Sequence, residues 1–470
     1  MVRDALVRSD ARPARVRAAS LFGVIFSLSA CAGTSGSGRY QALTLAYDRA
    51  AVSSARAEQA QAGNVARERV LDRAAFVRAV LARNPTIESA RQGFRAAIAR
   101  VEQSGAFDDP MLELELAPLS VRSLAGSGKG SFGYQVRVSQ ALPWFGKRAL
   151  DASVAAAEAE AAKSDFEGTR RELALAALSL YDQYFVTYRS AEINSEHVRL
   201  VESLRDAALA QFSSGRGSAQ DALQAEAELT HMEHDAVILA SQREVLKAQM
   251  NELLHRAPSE ALPPPSTTLD AGPSAKRAPG ELESEALRDR VDIAAVRSRA
   301  RAAEARAERA ERDAYPDFTV STSYNSMWDM PEHRWMVGVG FNLPVFSGKR
   351  TGAAHEARAL GAQLQSELLR MSDMARTQVF VTLKQLEESE HVLLLFETRL
   401  LPIARQRIDA ARAGFITAQN PFMAVIESER GLRNLELQYQ TARAEYARRQ
   451  AELERALGKI PGLSSKGEEP

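Results

Sequence analysis

The side chains best suited to chemistry in this chain are few and scattered. His231-Met232-Glu233-His234 sets two imidazoles three residues apart on one helical face, a spacing compatible with metal ligation. The sequence offers no third ligand beside them, and a solvated histidine pair accounts for them as well. Met327, Met330 and His333 bring soft donors together, again with nothing to complete a site. No metal centre and no cofactor is therefore expected. There is no Gly-x-Ser-x-Gly elbow, no phosphate loop, no His-Glu-x-x-His and no Gly-rich nucleotide fingerprint between a strand and a helix. An enzyme is not expected.

The remaining reactive group is the single cysteine, Cys31, which has no partner for an internal disulfide. It follows five arginines between Arg3 and Arg17 and an apolar run of eleven residues, Ala18–Leu28. A basic start and a short apolar run read as a secretory signal, because a spanning helix needs about 20 apolar residues. Leu28-Ser29-Ala30-Cys31 resembles the bacterial lipobox, in which the cysteine thiol is lipidated before cleavage on its amino side. Residues 1–30 then form a signal peptide, and 31–64, rich in Gly, Ser and Ala, a lipid-anchored arm. Ala32 rather than Asp follows the cysteine, which in bacterial lipoproteins favours the outer membrane.

Beyond residue 30 no apolar run approaches 18 residues, so no spanning helix is expected there. A membrane protein of this kind is anchored, or is a β-barrel with a weak per-strand signal. Lys+Arg and Asp+Glu balance at 60 each, which implies no basic surface for nucleic acid.

The elements that would position these residues are long helices and short strands. Helical periodicity starts near Arg67, with Val77, Val80 and Leu81 on one face, and resumes after Asn84-Pro85 to about Gln103. Leu112, Leu114 and Leu116 then alternate with Glu113 and Glu115, and Tyr134, Val136, Val138 and Leu142 with Gln135, Arg137 and Ser139. Each is a strand with one apolar and one wet face. From Lys147 to about Ser213 there is no proline and one glycine, which predicts one helix about 100 Å long. Gly215 and Gly217 break it, and a return helix runs from about Ser218 to His255.

The second half repeats this plan. Residues 134–148 read YQVRVSQALPWFGKR and 335–350 read WMVGVGFNLPVFSGKR. Pro110 matches Pro316 at an offset of 206, Leu142-Pro143 matches Leu343-Pro344 at 201, and Phe212 and Leu254 match Phe415 and Leu457 at 203. Residues 65–257 form one repeat and 282–460 the other, joined by a Pro-rich linker at 258–281 and followed by a tail at 461–470. Leu360, Leu364, Leu368 and Met371 make a narrow stripe suited to coiled-coil neighbours, and Pro402 predicts a kink in the second long helix.

Four strands with open edges are an aggregation hazard in water and forbidden in lipid. Several chains would have to pool them to close a barrel. Trp144 follows a strand, Trp335 begins one and Trp328 lies in the adjoining loop, as interfacial aromatic girdles require. A soluble sandwich anchored by tryptophans is the competing arrangement, but no helix near the strands is apolar enough to cover them.

With the duplication, Asn84-Pro85, Asp109-Pro110, Tyr315-Pro316, the two Leu-Pro/Gly-Lys-Arg junctions and the turns at Phe212 and Phe415, residues 65–460 resemble the TolC-like outer-membrane factors. These are the exit ducts of Gram-negative efflux and type I secretion systems. The resemblance implies a mixed α and β fold: a homotrimer with a 12-stranded outer-membrane barrel, four strands per chain, continued by a periplasmic helical barrel. It implies a periplasmic adaptor and an inner-membrane pump as partners. The wording Gln140-Ala-Leu-Pro-Trp-Phe-Gly-Lys is similar to members paired with resistance-nodulation-division pumps, including the heavy-metal branch. Metal ions or small toxic compounds are then the expected cargo. A lipid-anchored coiled-coil scaffold without a pore, or a type I secretion duct, remains the alternative.

A duct makes no bonds, so its functional residues gate, select or dock. By the resemblance the two helix tips carry Phe-x-x-Gly, met at Phe212 and Gly215 with Gly217 following, whereas Phe415 is followed by Ala418. Acids after the tips would ring the entrance: Asp221 and Glu427 are candidates, with Ala424 and Gln224 at the matching places. Both acids also suit a solvated helix start. The family's latch arginine falls on Asn420, which weakens any charged latch there. Lys147, Arg148, Lys349 and Arg350 would flank the membrane interface or bond between chains.

Overall fold

The structure, a computed structural model, describes residues 69–117, 133–269, 277–328, 330–417 and 419–463, with a few positions between 38 and 48. Cys31, residues 118–132 and Ala418 lie outside the described residues.

Asp72 opens the first helix, α1 (Arg73–Arg83), its carboxylate accepting from Ala75 N at 2.9 Å. Pro85 forbids the helical conformation at Asn84 and starts α2 (Pro85–Gly105). Asn84 serves both sides of this corner, accepting from Thr86 N at 2.9 Å and donating to Leu253 O at 3.0 Å. Strands β1 (Met111–Ala117) and β2 (Gly133–Leu142) follow, then α3 (Lys147–Ser213) of 67 residues and α4 (Ala219–Leu253). The second series is α5 (Pro279–Asp289), α6 (Val291–Arg312), β3 (Phe318–Asn325) and β4 (Trp335–Phe341). It closes with α7 (Ser347–Leu395), α8 (Leu401–Ile416) and α9 (Phe422–Ala456). The order is that of a duplication, helix pair, strand pair and helical hairpin, twice.

The interruption expected near Pro402 takes the form of a π-turn, Phe396–Leu400, between α7 and α8, with Leu401 N donating to Phe396 O. Gly-Lys-Arg recurs at an offset of 202 and the tip phenylalanines at 203, so the second long helix carries one extra residue. A π-turn absorbs one inserted residue.

The chain divides into two compact units. One gathers Ala97–Ala157 and Ala302–Ala359 and holds the strands; the other gathers the described parts of Asp48–Ala96, Glu158–Arg301 and Leu360–Pro470.

In the strand unit the four strands form one antiparallel sheet in the order β1-β2-β3-β4. Its register corrects one expectation. Leu112 pairs with Val138, and Val320 pairs with Val339, the repeat equivalent of Val138. Leu112 is therefore level with Val320 at an offset of 208, not with Phe318 as the Pro110–Pro316 match implied. The side-chain period of a strand is two, so this slip keeps every residue on its face.

In the helical unit the core is built on α1 and α3: Leu71, Phe76, Val77, Leu81, Leu178 and Phe185 are all buried. Tyr181 OH donates to Leu71 O at 2.7 Å and accepts from Ser266 N at 3.2 Å. Tyr184 OH donates to Pro263 O, and burial pushes its pKa up to about 12. Leu71 bridges Pro265 in parallel. These bonds strap the Pro-rich segment onto the entry to α1. Arg73 completes the layer with a two-pronged bond to buried Asp182, both contacts at 2.8 Å.

Candidate conduit wall and helix-tip gate

Directly paired residues point to the same side of a sheet, so the register assigns both faces. One face carries Leu112, Leu114, Leu116, Tyr134, Val136, Val138, Leu142, Phe318, Val320, Tyr324, Trp335, Val337, Val339 and Phe341, with Thr322 and Gln140 among them. The other carries Glu113, Glu115, Gln135, Arg137, Ser139, Thr319, Ser321, Ser323, Asn325, Gly338 and Gly340, with Met111 and Met336. The polar face is cross-linked: Arg137 pairs with Glu113 at 3.3 Å, and Asn325 donates to Gln135 at 2.9 Å.

The apolar face is open. Leu114 is 61% exposed, Val337 71% and Val339 66%. A contiguous exposed apolar face of this kind marks a surface for a partner or a membrane. Its aromatics gather at both strand ends. Tyr324 contacts Tyr134 (5.8 Å between centroids) and Trp335 (5.2 Å) at one end, and Trp144 stacks on Tyr315 (5.2 Å) and Phe318 (5.5 Å) at the other. Trp335 is exposed and Trp144 half-buried. Phe318 and Tyr324 are six residue steps apart along β3, about 20 Å.

Below β2 and β4 the repeated basic residues behave in two ways. Arg148 Nε donates to Gly105 O at 3.1 Å, and Arg350 Nε to Asp313 O at 2.7 Å. Each closes the strand-to-helix junction within its own repeat. Lys147, only 1% exposed, reaches from the first repeat into the second, with Asp317 at 2.9 Å, Asp313 at 3.2 Å and the Tyr315 carbonyl at 3.3 Å. Gly146 permits the approach: its φ is +83°, and a Cβ there would meet the Arg312 guanidinium at 2.0 Å. Lys349 is exposed and has no partner among the described residues.

The helix tips are built alike but finished differently. At the first, Gly215 has φ +72°, its N–H bonds to Phe212 O at 3.0 Å, and Arg216 N to Gln211 O at 2.9 Å. This is a Schellman closure, and Ser218 then caps α4 by accepting from Gln220 N. At the second, Gln419 N and Asn420 N both donate to Gly414 O, at 2.8 and 3.0 Å, as Arg216 N and Gly217 N do to Gln211 O. The bulky and small positions are exchanged. A Cβ on Gly217 would sit 3.0 Å from Gln211 Cβ, and one on Gly414 would sit 2.2 Å from Asn420 Nδ2. Asn420 thus folds against a glycine and makes no charged latch. Phe415 packs edge-on against Phe422 at 5.3 Å, whereas Phe212 is 49% exposed and Ala219 stands where Phe422 would be.

Asp221 lies half-buried in the first turn of α4 and Glu427 exposed in the second turn of α9. Among the described residues no hydrogen bond or ion pair holds either side chain, and the two are not brought into contact with each other. His231 and His234 are exposed on α4, with Asp235 at 3.7 Å from His234. No group of three or more His, Cys, Asp or Glu able to hold a metal is found among the described residues. Met327 and Met330 are exposed, and His333 packs edge-on against Trp328.

The sequence reading missed a buried polar layer behind the tips. His197 on α3, 4% exposed, places Nδ1 2.6 Å from Glu429 and Nε2 2.9 Å from Glu436, both on α9. Burial alone would lower the histidine pKa, but the two carboxylates outweigh it and raise it to about 9. Arg430 pairs with buried Glu228 of α4 at 2.5 Å, and Asn194 donates to Met232 O at 2.9 Å. Beyond this layer Val201, Leu204, Leu229, Ile408, Phe422 and Ile426 form the apolar core of the hairpins. The signal was present: Phe422, Val425, Glu429, Leu432 and Glu436 recur at alternating spacings of three and four, so Glu429 occupies an apolar-stripe position.

The family model described as Outer membrane efflux protein matches residues 76–254. CzcC of Cupriavidus metallidurans, a cobalt-zinc-cadmium resistance protein, is 22% identical over 316 residues, covering 67% of this chain and 74% of its own. Among solved structures, the chain is similar to CusC, with a TM-score of 0.73 at 17% identity, covering 84% of this chain and 94% of that one. The outer-membrane channel OprN gives 0.71 at 20% identity, over 82% and 89%, and VceC of Vibrio cholerae 0.69 at 17%, over 82% and 95%. These likenesses show the fold: mostly helical, with a few antiparallel strands, as in outer-membrane channels.

Proposed function

Because the chain belongs to the outer membrane efflux protein family, whose members are channels and not enzymes, we propose that it is the outer-membrane exit duct of a tripartite efflux system. Three copies pool their four-stranded sheets into a 12-stranded barrel, and the long helices continue it through the periplasm. The observation that carries this is the two-faced sheet. Its apolar face is exposed and ringed at both ends by aromatics, its other face is polar, and β1 and β4 have no further strand among the described residues. The first face suits lipid and the second a water-filled lumen.

Acylated Cys31 anchors the arm in the outer membrane, and Trp144 and Trp335 sit at its two interfaces. A periplasmic adaptor docks on the tips around Phe212, Gly215, Gly217, Phe415 and Asn420, and couples them to an inner-membrane pump of the resistance-nodulation-division type. Asp221 and Glu427, three copies each, make the entrance favour cations. Since CzcC is named for cobalt, zinc and cadmium resistance, divalent metal ions are the proposed cargo.

Reconstitution in planar bilayers tests the duct. The expected result is discrete, cation-preferring channels from a heat-modifiable trimer, and Asp221→Asn with Glu427→Gln lowers that preference. A preparation that gives no channels points instead to a scaffold without a pore. Cobalt, zinc and cadmium tolerance of cells lacking and regaining the protein tests the cargo.

A further inference from the structure

The two kinds of basic contact beneath the sheet point beyond a single chain. Arg148 and Arg350 each bond the last carbonyls of the helix pair preceding their own strands, Gly105 O and Asp313 O. They are equivalent at offsets of 202 for the arginines and 208 for the carbonyls. The strand register independently gives 208 for the segment that enters β1 and β3. On that offset Asp109 of the first repeat corresponds to Asp317 of the second, and Phe107 to Tyr315.

Lys147 is the contact that crosses between repeats, running from the end of β2 to Asp317 at the start of β3. Trp144 crosses with it, stacking on Tyr315. Lys349 is the equivalent of Lys147 at the end of β4, and among the described residues no further strand follows for it to reach. Its ammonium is exposed, and at the opposite edge Asp108 and Asp109, before β1, are exposed too. Among the described residues none of these three side chains has a charged partner. Val345 and Phe346, beside Lys349, are 70% and 77% exposed, and Phe107 is 36% exposed. Both edges thus present half of the junction that Lys147, Trp144, Tyr315 and Asp317 complete inside the chain.

We propose that Lys349 pairs with Asp109 of a second copy of this chain, with Val345 and Phe346 packing on that copy's Phe107, so that the buried β2–β3 junction is reproduced between β4 of one copy and β1 of the next. The pairing rests on the trimeric reading above and specifies its contact. It also fixes the direction of assembly, head of one sheet to tail of the next, a heterologous contact that forms a ring where its rotation closes, as the trimeric reading requires.

The test uses the full-length protein in native membranes, with Lys349→Cys and Asp109→Cys combined and each alone as a control. Mild oxidation of the double variant is expected to give covalent dimers and trimers on a denaturing gel, and neither single variant does so. Lys349→Asp is expected to lower the temperature at which the assembly dissociates, and adding Asp109→Lys restores it. Native mass spectrometry separates the two levels of failure. Trimers without the covalent ladder, or with a bond closed inside one chain, overturn the pairing and leave the duct intact. Single chains in the unmodified protein overturn both.

Discussion

His197 Nδ1 lies 2.6 Å from the Glu429 carboxylate in the buried layer behind the helix tips, and its other nitrogen meets Glu436. The histidine is doubly bonded between α3 and α9 and carries its proton at neutral pH. Its pKa, about 9 in the folded chain, stands above its ordinary value near 6.5. The stability it supplies is therefore complete below about pH 6.5 and lost as pH rises through about 9. Thermal melting between pH 7 and 10 should show a loss of at most about 3 kcal/mol per chain that His197→Gln removes. A melting curve equally steep in both proteins would assign the loss to other groups. His197→Ala, which leaves Glu429 buried without its partner, should cost about 3–5 kcal/mol at pH 7.

The exchanged glycines of the tips make a second prediction. Gly217→Asn forces a side chain against Gln211, and an overpacked contact costs about 1–3 kcal/mol. Adding Gln211→Gly recreates the Gly414–Asn420 arrangement and should recover most of that loss. Hydrogen exchange at the first tip reads the result directly, and equal protection in the single and double variants would refute the reciprocity.

The return helices end alike, at His255 with φ +54° and Gly458 with φ +86°. His255→Gly should stabilise the chain by about 1 kcal/mol, since only glycine adopts this backbone without strain. Gly458→His should be far worse, because a Cβ there would stand 2.5 Å from Asp289 O. Denaturant melts of the two variants compare the positions.

The faces of the sheet can be told apart by placing one charge on each. Val337→Arg is expected to reduce insertion into membranes by about 2–4 kcal/mol, as for an arginine on a lipid face at mid-bilayer. Ser321→Arg, on the opposite face, should insert normally and shift ion selectivity. Equal insertion of both would contradict the assignment of lipid and lumen.

Much of this architecture is legible in the residues. The alternation of Leu112, Leu114 and Leu116 set the apolar face, and the long interval from Lys147 to Ser213 without proline set the first long helix, because both are local effects of side-chain period and backbone freedom. The break at Gly215 and Gly217, between α3 ending at Ser213 and α4 beginning at Ala219, is local in the same way. The two-residue slip between β1 and β3 did not, since a strand pattern of period two looks the same after it. The buried polar layer escaped because its partners, His197 and Glu429, are 232 residues apart and only tertiary packing joins them. Lys147 and Lys349 each stand in the middle of a Gly-Lys-Arg triplet. That one is sealed and the other open follows chain order: β3 comes after the first, and among the described residues no strand comes after the second.

The π-turn at Phe396–Leu400 has an angular meaning. One residue advances an α-helix by about 100°, so a residue added to a regular helix would swing everything after it by more than a quarter of a revolution. Phe415 would then be carried off Phe422, and Ile408 out of the hairpin core. The wide turn holds the surplus residue in a single bulge and returns the helix to its earlier azimuth. The second arm has therefore grown longer than the first without losing its bearing, and shortening it by one residue within this bulge should be borne far better than the same deletion in α3.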